Sequence, residues 1–388
     1  MTEANPEVLF EIKKEDLETG LRGVPVGYCP TSTVNPTKGL FYGDKPINEI
    51  AAWSPERVIY LLYCGHDGSQ QEIEEFSNNL RHRAACSIDL RTHIRKLPRH
   101  GDPMKLFCAA LLIAGMIEGK KDYREDCLNL IAKIPEIAAT VINYHAGWGG
   151  TNPSRPELGY VENFTQMLKV PNSDTELLTK TFKLFNMLHY DHGGGNLSTF
   201  VGKAVASGFE DMYGSISAAM CALAGSRHGR ANQDSLEFIQ SLIETLRDDT
   251  TAEKLEAELR RRLALNQLIF GYGHAVLRVE DPRATVLYEK ALQEFPGHPL
   301  VKMALLLREI APGILKENPK ISDPYANVDA ISGVLLMVAG FPYPEYFTVL
   351  FGLSRVVGIA IQIVYERCEA RGGKGLPIVR PKYLFKPR

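Results

Sequence analysis

The chain has 388 residues and carries 44 lysines and arginines against 46 aspartates and glutamates, for a formal net charge of −2 at pH 7. This length provides for a large core and about two domains. The near-neutral charge excludes a global attraction to nucleic acid or to an anionic membrane, so neither partner is expected.

Cysteine usage and the first residues indicate the compartment. The seven cysteines, at positions 29, 64, 86, 108, 127, 221 and 368, include no Cys-x-x-Cys pair, which favours a reducing environment. The opening MTEANPEVLFEIKKEDLE lacks the apolar core of a secretion signal and is too acidic for an organelle-targeting peptide. We therefore expect a cytoplasmic protein.

Helix signals run through nearly the whole chain. The stretch Val24–Val34 is the best candidate for short β structure. Ser54-Pro55 and Asp102-Pro103 are typical of an N-cap followed by a proline in the first turn. Capping boxes over 173–176 and 250–253 precede periodic apolar residues, as at the start of further helices.

The segment His189-Tyr-Asp-His192-Gly-Gly-Gly-Asn196 ends a helix in three consecutive glycines. The spacing of His189, Asp191 and His192 could indicate a metal. Histidines at i and i+3 without a further ligand cluster are a weak metal signal, however, and a glycine-rich terminus suits close approach of a ligand. We predict no metal here.

The next segment, Gly225–Asn232, reads GSRHGRAN and leads into the helical pattern DSLEFIQSLIETL. His228 is thereby placed just before a helix N-terminus. The positive end of the helix dipole and the neighbouring Arg227 and Arg230 all disfavour an imidazolium. We predict a neutral His228, which can act as a hydrogen-bond donor to developing negative charge rather than as a base.

Residues 271–283, GYGHAVLRVEDPR, are the most informative stretch of the chain. Glycines on both sides of His274 let backbone approach a ligand closely, and the imidazole can donate to a carbonyl. Arg278 and Arg283 supply guanidinium forks suited to a carboxylate or a phosphate. The stretch predicts an anion-binding site.

Two apolar segments each contain a charged residue. In NVDAISG, Asp329 heads the run VLLMVAGF, where a carboxylate is costly unless it is paired or used; a helix-capping aspartate is the alternative. Arg355 lies near the middle of FTVLFGLSRVVGIAIQIVY, which indicates a buried core helix rather than a membrane span. Its anionic partner is either a protein carboxylate or a bound di-acid.

Read in order, HYDHGGGNLSTF, ALAGSRHGRANQ, GYGHAVLRVEDPR, NVDAISGVLL, FGLSR and VRPK resemble the successive signature blocks of citrate synthases. The resemblance implies an all-α fold with a large helical domain and an inserted smaller one. The large domain, with the oxaloacetate site and the dimer contacts, would comprise residues 1–229 plus 341–388. The smaller, mobile domain on the acyl-CoA side would comprise residues 230–340.

The resemblance also implies residue roles. His228 matches the electrophile at the thioester carbonyl, Asp329 the base, and His274 the group that polarises the oxaloacetate carbonyl. The groups that hold the substrate carboxylates match His192, Arg283, Arg355 and Arg380. In the family the last of these reaches in from the partner subunit, so a homodimer is implied. Arg278 matches the coenzyme A phosphate site.

Physical chemistry supports these roles. Deprotonation of a thioester methyl group by a carboxylate is steeply uphill unless a positioned donor, here neutral His228, stabilises the enolate oxygen. Acetyl-CoA would then condense with oxaloacetate, and water would cleave the thioester to give citrate and coenzyme A. The reaction needs no metal and no cofactor.

Departures from the family pattern cluster on the acyl-CoA side. Gly193 replaces a glutamate, Ser226 and Arg227 a Pro-Leu pair, Arg230 a leucine, Phe270 a proline, and Ile331 a histidine or aromatic residue. Tyr42, in a block resembling the family's opening, stands where an arginine is frequent. Two alternatives stay open. One is a 2-methylcitrate synthase using propionyl-CoA, which the segment Asp211-Met-Tyr213 resembles. The other is a catalytically silent acyl-CoA-binding scaffold.

Overall fold

The computed structural model describes residues 8–226, 228–247 and 250–387. Helices make up 59% of the chain, which confirms the predicted all-α class. The α-helices are α1 Ile47–Ile50, α2 Pro55–Cys64, α3 Gln70–Arg83, α4 Ile88–Ile94, α5 Pro103–Glu118, α6 Tyr123–Ala146, α7 Tyr160–Met167, α8 Thr175–His189, α9 Leu197–Ser207, α10 Met212–Leu223, α11 Ala231–Leu246, α12 Ala252–Ala264, α13 Pro282–Glu294, α14 Pro299–Lys316, α15 Asp329–Val338 and α16 Phe347–Val364. Short 3₁₀ helices cover Lys14–Glu18 and Pro344–Tyr346, and a π-helix, Tyr365–Glu369, continues α16.

The two predicted N-caps with a following proline are confirmed. Ser54 accepts from the Arg57 amide at 3.3 Å, and Asp102 accepts from the Met104 amide at 2.8 Å. Each side chain satisfies a backbone N–H that has no partner within its own helix.

The two predicted capping boxes are wrong by one residue. The caps are Asp174, which accepts from two backbone amides, and Thr251. Ser173 and Thr250 instead donate their hydroxyls back to the carbonyls of Val170 and Arg247, both at 3.0 Å. A hydroxyl used in this local turn is not available to cap the helix that follows.

The β structure also begins later than predicted. Of Val24–Val34 only residues 32–34 are extended in a sheet, because strand pairing requires the turn that follows them. Asn35 Oδ1 accepts from the amides of Thr37 and Lys38, both at 3.0 Å, and Gly39 takes a φ of +96°. The three strands form an antiparallel sheet in the order β1 Ser32–Asn35, β2 Gly39–Tyr42 and β3 Lys45–Pro46.

The core is organised around α16, the helix that contains Arg355. The segment Pro344–Glu369 is long and apolar enough to cross a membrane, with a hydropathy of 1.9, yet 94% of its apolar 18-residue window is buried inside the protein. It packs against α2, α5, α6, α8, α9 and α10. The prediction of a buried core helix is confirmed.

The helices of residues 231–338 pack mainly against one another: α11 contacts α14 and α15, α12 contacts α14, and α13 contacts α15. Further contacts join α15 to α8, and α13 to α1 and β2. Gly39 illustrates how closely β2 approaches α13, since a Cβ at this position would lie 2.6 Å from Pro282 Cγ. These contacts bring the segments around residues 192, 274 and 329 together, while the predicted boundaries of the two domains stay a prediction.

Candidate active site

The segment after α8 is held by its buried aspartate. Asp191 is fully buried and accepts from Ser32 Oγ at 2.8 Å, from Gln362 Nε2 at 2.9 Å, and also from the hydroxyl of Thr31. His189 donates from Nδ1 to the Phe185 carbonyl at 2.7 Å. Both side chains thus have structural partners, and the described residues contain no group of three potential metal ligands.

His192, unlike His189 and Asp191, has a buried ring nitrogen that is not used in a hydrogen bond. Its Nε2 is buried and has no hydrogen-bond partner in the described chain, and its ring centroid lies 5.2 Å from that of His274. Burial lowers the pKa of His192 well below its ordinary value, and the charges of Arg283 and Arg355 act in the same direction. A neutral imidazole here suits a ligand that offers a hydrogen bond.

The turn around His274 fixes which ring nitrogen carries the proton. Nδ1 accepts from the amides of Val276 and Leu277 at 3.0 and 2.9 Å. Burial, then the charge of Arg283, lowers the pKa of this imidazole to about 4. Since Nδ1 of the neutral ring must be the acceptor, we infer that the proton is on Nε2, which can donate to a ligand oxygen.

Backbone contacts connect this turn to the Asp329 segment. Asn327 donates its amide to Gly271 O and its Nδ2 to Gly273 O, both at 2.9 Å. Gly271 has a φ of +81°, and a Cβ there would lie 2.6 Å from Ala330 Cα. A glycine is therefore required for this close approach.

His228 has the opposite tautomer from His274. The amide of Ser198 donates to His228 Nε2 at 3.3 Å, and Ser198 Oγ lies 3.0 Å from the same nitrogen. An amide can only donate, so Nε2 accepts and the proton of the neutral ring is on Nδ1.

The cause predicted for this neutrality needs correction. Burial lowers the pKa of His228 to about 4, and the charge of Arg355 contributes next. Arg230 is exposed and pairs with Asp234 at 2.9 Å, so its charge is compensated locally. Arg227 lies outside the described residues. Burial and a buried arginine on another helix therefore account for the neutral ring.

Asp329 begins α15 without capping it, which removes the alternative interpretation of this residue. Its half-buried carboxylate has no hydrogen-bond donor among the described side chains and amides. Burial raises the pKa of Asp329 to about 6, against the opposing charge of Arg283. A carboxylate with this pKa can take up a proton near neutral pH and release it again.

Two buried arginines lie beside these groups, but they differ in their partners. Arg283 forms a bidentate pair with Asp281, with Nη2 to Oδ2 at 2.6 Å and Nε to Oδ1 at 3.1 Å. Arg355 is 2% exposed and donates Nε to the His189 carbonyl at 3.0 Å. No carboxylate of the described chain lies within ion-pair distance of Arg355, and burial lowers its pKa to about 10. Of the two predicted partners, a bound acid fits this charge better than a protein carboxylate.

The remaining two predicted arginines are exposed, in contrast to Arg283 and Arg355. Arg278 is exposed, and its Nη1 donates to the carbonyls of Leu277 at 2.6 Å and Val276 at 3.0 Å. Arg380 is exposed in the C-terminal segment, which an amide of Val379 joins to Ser207 Oγ at 2.9 Å. Arg278 Nη1 also donates to the His274 carbonyl at 3.4 Å, so its guanidinium lies against the His274 turn.

The departures from the family pattern have local structural roles. Gly193 takes a φ of +70°, a conformation that favours glycine over glutamate. Tyr42 is buried and donates its hydroxyl to the Met187 carbonyl at 3.0 Å. Ile331 is also buried, and Phe270 packs against Phe238 with ring centroids 6.0 Å apart.

Sequence reasoning missed two residues that orient the site. Ser198 fixes the tautomer of His228; its position two residues after an N-cap asparagine, where amides are free, is the only local signal. Asp281 orients Arg283, and the Asp-Pro-Arg start of α13 could have indicated it. An N-cap aspartate two residues before an arginine can bind both the amide and the guanidinium.

Comparisons with known proteins agree on one family. The family model of the citrate synthase C-terminal domain matches residues 20–382. Citrate synthase 4, mitochondrial, from Arabidopsis thaliana is 35% identical over 94% of this chain and 80% of its own length. Peroxisomal citrate synthase from Saccharomyces cerevisiae is 32% identical over 96% of this chain and 85% of its own.

A similar solved structure is the ternary complex of carboxymethyl coenzyme A and oxaloacetate with the citrate synthase of Thermoplasma acidophilum. It has a TM-score of 0.81 and 24% identity, and the match covers 95% of this chain and 96% of that one. At this identity the likeness establishes the fold, whereas the sequence relatives and the family model establish the family. The chain belongs to the citrate synthase family of acyl-transferring enzymes.

Proposed function

We propose that the protein condenses acetyl-CoA with oxaloacetate and hydrolyses the resulting citryl-CoA to citrate and coenzyme A. The observation that carries this proposal is the pairing of opposite properties in one buried cluster. Asp329 has a pKa raised to about 6, whereas His228 and His274 have pKa values lowered to about 4. Near neutral pH the cluster therefore offers one ionised base and two neutral donors.

The first step is removal of a proton from the acetyl methyl group by Asp329. The developing enolate oxygen accepts a hydrogen bond from His228 Nδ1, whose proton is fixed there by the contact of Nε2 with Ser198. A positioned donor of this kind contributes several kcal/mol where charge develops. Since the His228 ring is neutral before the reaction, it donates a hydrogen bond without giving up a proton to Asp329.

The second step joins the enol carbon to the ketone carbon of oxaloacetate. His274 Nε2 donates to the ketone oxygen, which increases the electrophilicity of the carbon. His192, Arg283 and Arg355 hold the carboxylates and fix the orientation of the ketone. Water then attacks the citryl thioester, the carbon–sulfur bond breaks, and coenzyme A leaves as a thiol. Carboxylate and imidazole groups supply each of these proton transfers, so we propose no metal and no cofactor.

Two peripheral arginines complete the proposal. Arg278 is exposed beside the His274 turn and would bind a coenzyme A phosphate. Arg380 would reach the oxaloacetate carboxylates of the partner subunit in a homodimer. Apolar side chains exposed in the same C-terminal segment favour burial against a second copy, namely Ile378, Val379, Tyr383, Leu384 and Phe385.

A mixing experiment tests the contribution of Arg380 across subunits. Arg380→Leu and Asp329→Asn are each expected to be inactive as homodimers. In a heterodimer of the two, one site combines an intact Asp329 with the partner's intact Arg380. Subunit exchange should therefore restore activity, and absence of recovery in a verified heterodimer would place Arg380 outside the shared site.

The domain division and the compartment belong to the same proposal. We assign residues 1–229 plus 341–388 to a large domain and 230–340 to a mobile smaller one. A lower radius of gyration by small-angle scattering, on adding oxaloacetate and carboxymethyl coenzyme A, would support closure of the two domains.

We also propose a cytoplasmic location, supported by seven free thiols, although relatives have mitochondrial and peroxisomal forms. Fractionation of source cells tests this location.

The decisive assay follows thiol release from acetyl-CoA and from propionyl-CoA in the presence of oxaloacetate. We expect a higher kcat/KM with acetyl-CoA. A preference for propionyl-CoA would instead support a 2-methylcitrate synthase. However, Asp211 caps α10, and Tyr213 packs against Gly115 of α5, so neither residue favours that alternative. If neither compound releases a thiol, the result would support a catalytically silent acyl-CoA-binding protein.

A further inference from the structure

One face of α16 holds the segment 189–193 by three successive contacts. Arg355 Nε donates to His189 O, and the Gly358 amide donates to Tyr190 O, both at 3.0 Å. Gln362 Nε2 donates to Asp191 Oδ1 at 2.9 Å. Positions 355, 358 and 362 recur at the spacing of one helix face. The helix that carries Arg355 therefore also fixes the segment that carries His192.

Glycine is needed for this close approach. A Cβ at Gly358 would lie 2.5 Å from Tyr190 O and 2.6 Å from Asp191 Cγ. Any side chain would push α16 away from the segment. The packing of α16 on this segment is consequently tight enough to determine position, not only burial.

Asp191 passes this restraint to both sides of His192. The His192 amide donates to Asp191 Oδ1 at 2.9 Å, and the Gly193 amide donates to Ser32 Oγ at 2.7 Å. Ser32 in turn donates to Asp191 Oδ2 at 2.8 Å. The backbone of His192 is therefore fixed by groups that meet at one buried carboxylate, whereas its Nε2 has no hydrogen-bond partner among the described residues.

The orientation of the Gln362 amide is set from its other end. Gln362 is fully buried, and its Oε1 lies 3.5 Å from Lys203 Nζ. Lys203 forms a nearly buried ion pair with Glu366 at 2.8 Å. Since an ammonium can only donate, Oε1 faces Lys203 and Nε2 faces Asp191.

We propose that Gln362 is a positioning residue for oxaloacetate binding, acting on His192 through Asp191. This inference rests on the proposed function, because it assigns His192 to the oxaloacetate carboxylates. Without the Gln362 amide, the buried Asp191 carboxylate loses a donor on the helix side and must find another by moving. Movement of Asp191 displaces His192 from its place beside His274.

The test compares Gln362→Met with Asn143→Leu in the full-length enzyme. Asn143 is a matched control: a fully buried amide that joins two segments through Met167 O at 2.8 Å and the Lys169 amide at 2.9 Å, with no hydrogen bond to residues 189–193. For Gln362→Met we expect about a tenfold rise in the KM and Kd of oxaloacetate, with less than a twofold change in the KM of acetyl-CoA. Asn143→Leu should lower thermal stability and leave both constants within twofold.

Amide hydrogen exchange measures how firmly the segment 190–193 is held, independently of turnover. Exchange in residues 190–193 should increase about tenfold in Gln362→Met and stay unchanged in Asn143→Leu. Ser32→Ala, a milder change at the same carboxylate, should produce both effects at about threefold and covers the case in which Gln362→Met fails to fold.

Unchanged exchange in residues 190–193, or equal rises in both KM values, would overturn the inference. A wild-type enzyme that releases no thiol would instead overturn the proposed function. The exchange experiment would still decide whether Gln362 positions His192.

Discussion

The proposed oxaloacetate side and the proposed acyl-CoA side of the site differ in how their charged groups are buried and paired. On the oxaloacetate side, Arg355 is buried with no carboxylate of the described chain within ion-pair distance, and the segment next to it is held by buried hydrogen bonds. On the acyl-CoA side, Arg230 is paired with Asp234, and Arg278 donates to carbonyls of its own turn. Both of these guanidiniums are exposed.

This difference indicates where each substrate obtains its binding energy. A charge that is buried without a partner is costly in the free protein and binds strongly to an anion that neutralises it. Exposed charges with local partners contribute little to the binding of another anion. We therefore expect substitutions on the oxaloacetate side to have large and specific effects, and those among the exposed arginines to have small ones.

The largest effect is expected for Asp329→Asn, which removes the proposed base. The rate of thiol release should fall at least about a thousandfold, because proton abstraction loses its acceptor. The Kd of oxaloacetate, measured by calorimetry, should stay within about threefold of wild type. A collapse of oxaloacetate affinity together with activity would show that Asp329 has a structural role instead.

The same variant has an expected effect on stability. The pKa of Asp329 is about 6 in the folded protein, above its value in an unfolded chain. Its contribution to stability is thus fully present below about pH 4 and is lost as the pH rises through 6. Asp329→Asn should raise the free energy of unfolding at pH 7 by about 1–2 kcal/mol, measured by denaturant titration.

The second prediction compares the two buried arginines. Arg355→Leu should weaken oxaloacetate binding at least about a hundredfold, while the melting temperature stays equal or rises, because no buried carboxylate loses its partner. Arg283→Leu should also weaken binding, but it should cost about 3–5 kcal/mol of stability, because Asp281 is left buried and unpaired. Normal affinity with lost stability in Arg355→Leu would indicate a protein partner for Arg355.

The third prediction concerns pH. The proposed mechanism requires ionised Asp329 and neutral His228, with pKa values of about 6 and about 4. The acid limb of kcat should follow the higher of the two and fall tenfold per pH unit below about pH 6. A profile that stays flat to pH 4.5 at saturating substrates would contradict the raised pKa of Asp329.

The smallest effect is expected for Arg230→Leu. Because its guanidinium pairs with Asp234 at the surface, the acid limb should not move and the KM of acetyl-CoA should change less than twofold. Lys45→Leu, which removes another exposed ion pair, serves as a control for nonspecific charge effects. A KM change that shrinks at high salt would reveal a contact of Arg230 with coenzyme A phosphates.

The sequence predicted local features well, because neighbouring residues determine them. Ser54 and Asp102 cap the helices that follow, and the apolar pattern around Arg355 forms the buried helix. Errors were also local: Ser173 and Thr250 each had a competing carbonyl three residues earlier, which a capping pattern does not reveal.

The sequence pattern could not predict hydrogen-bond partners that are distant in the chain. Asp191 meets Gln362 across 171 residues and Ser32 across 159. The neutrality of His228 likewise depends on burial and on Arg355, which lies 127 positions further along the chain. Roles assigned to His192, His274 and Asp329 came from ordered motifs, and those roles remain predictions for the experiments above.

The apolar length of α16 has a consequence for the protein during its synthesis. Until the other helices surround it, this segment satisfies the length and composition of a membrane-spanning helix. Arg355 stands at its centre, and an arginine at that depth costs about 2.5–3.5 kcal/mol on insertion into a bilayer. The guanidinium assigned to oxaloacetate therefore also opposes insertion of the nascent chain into membranes, a protection that Arg355→Leu would remove.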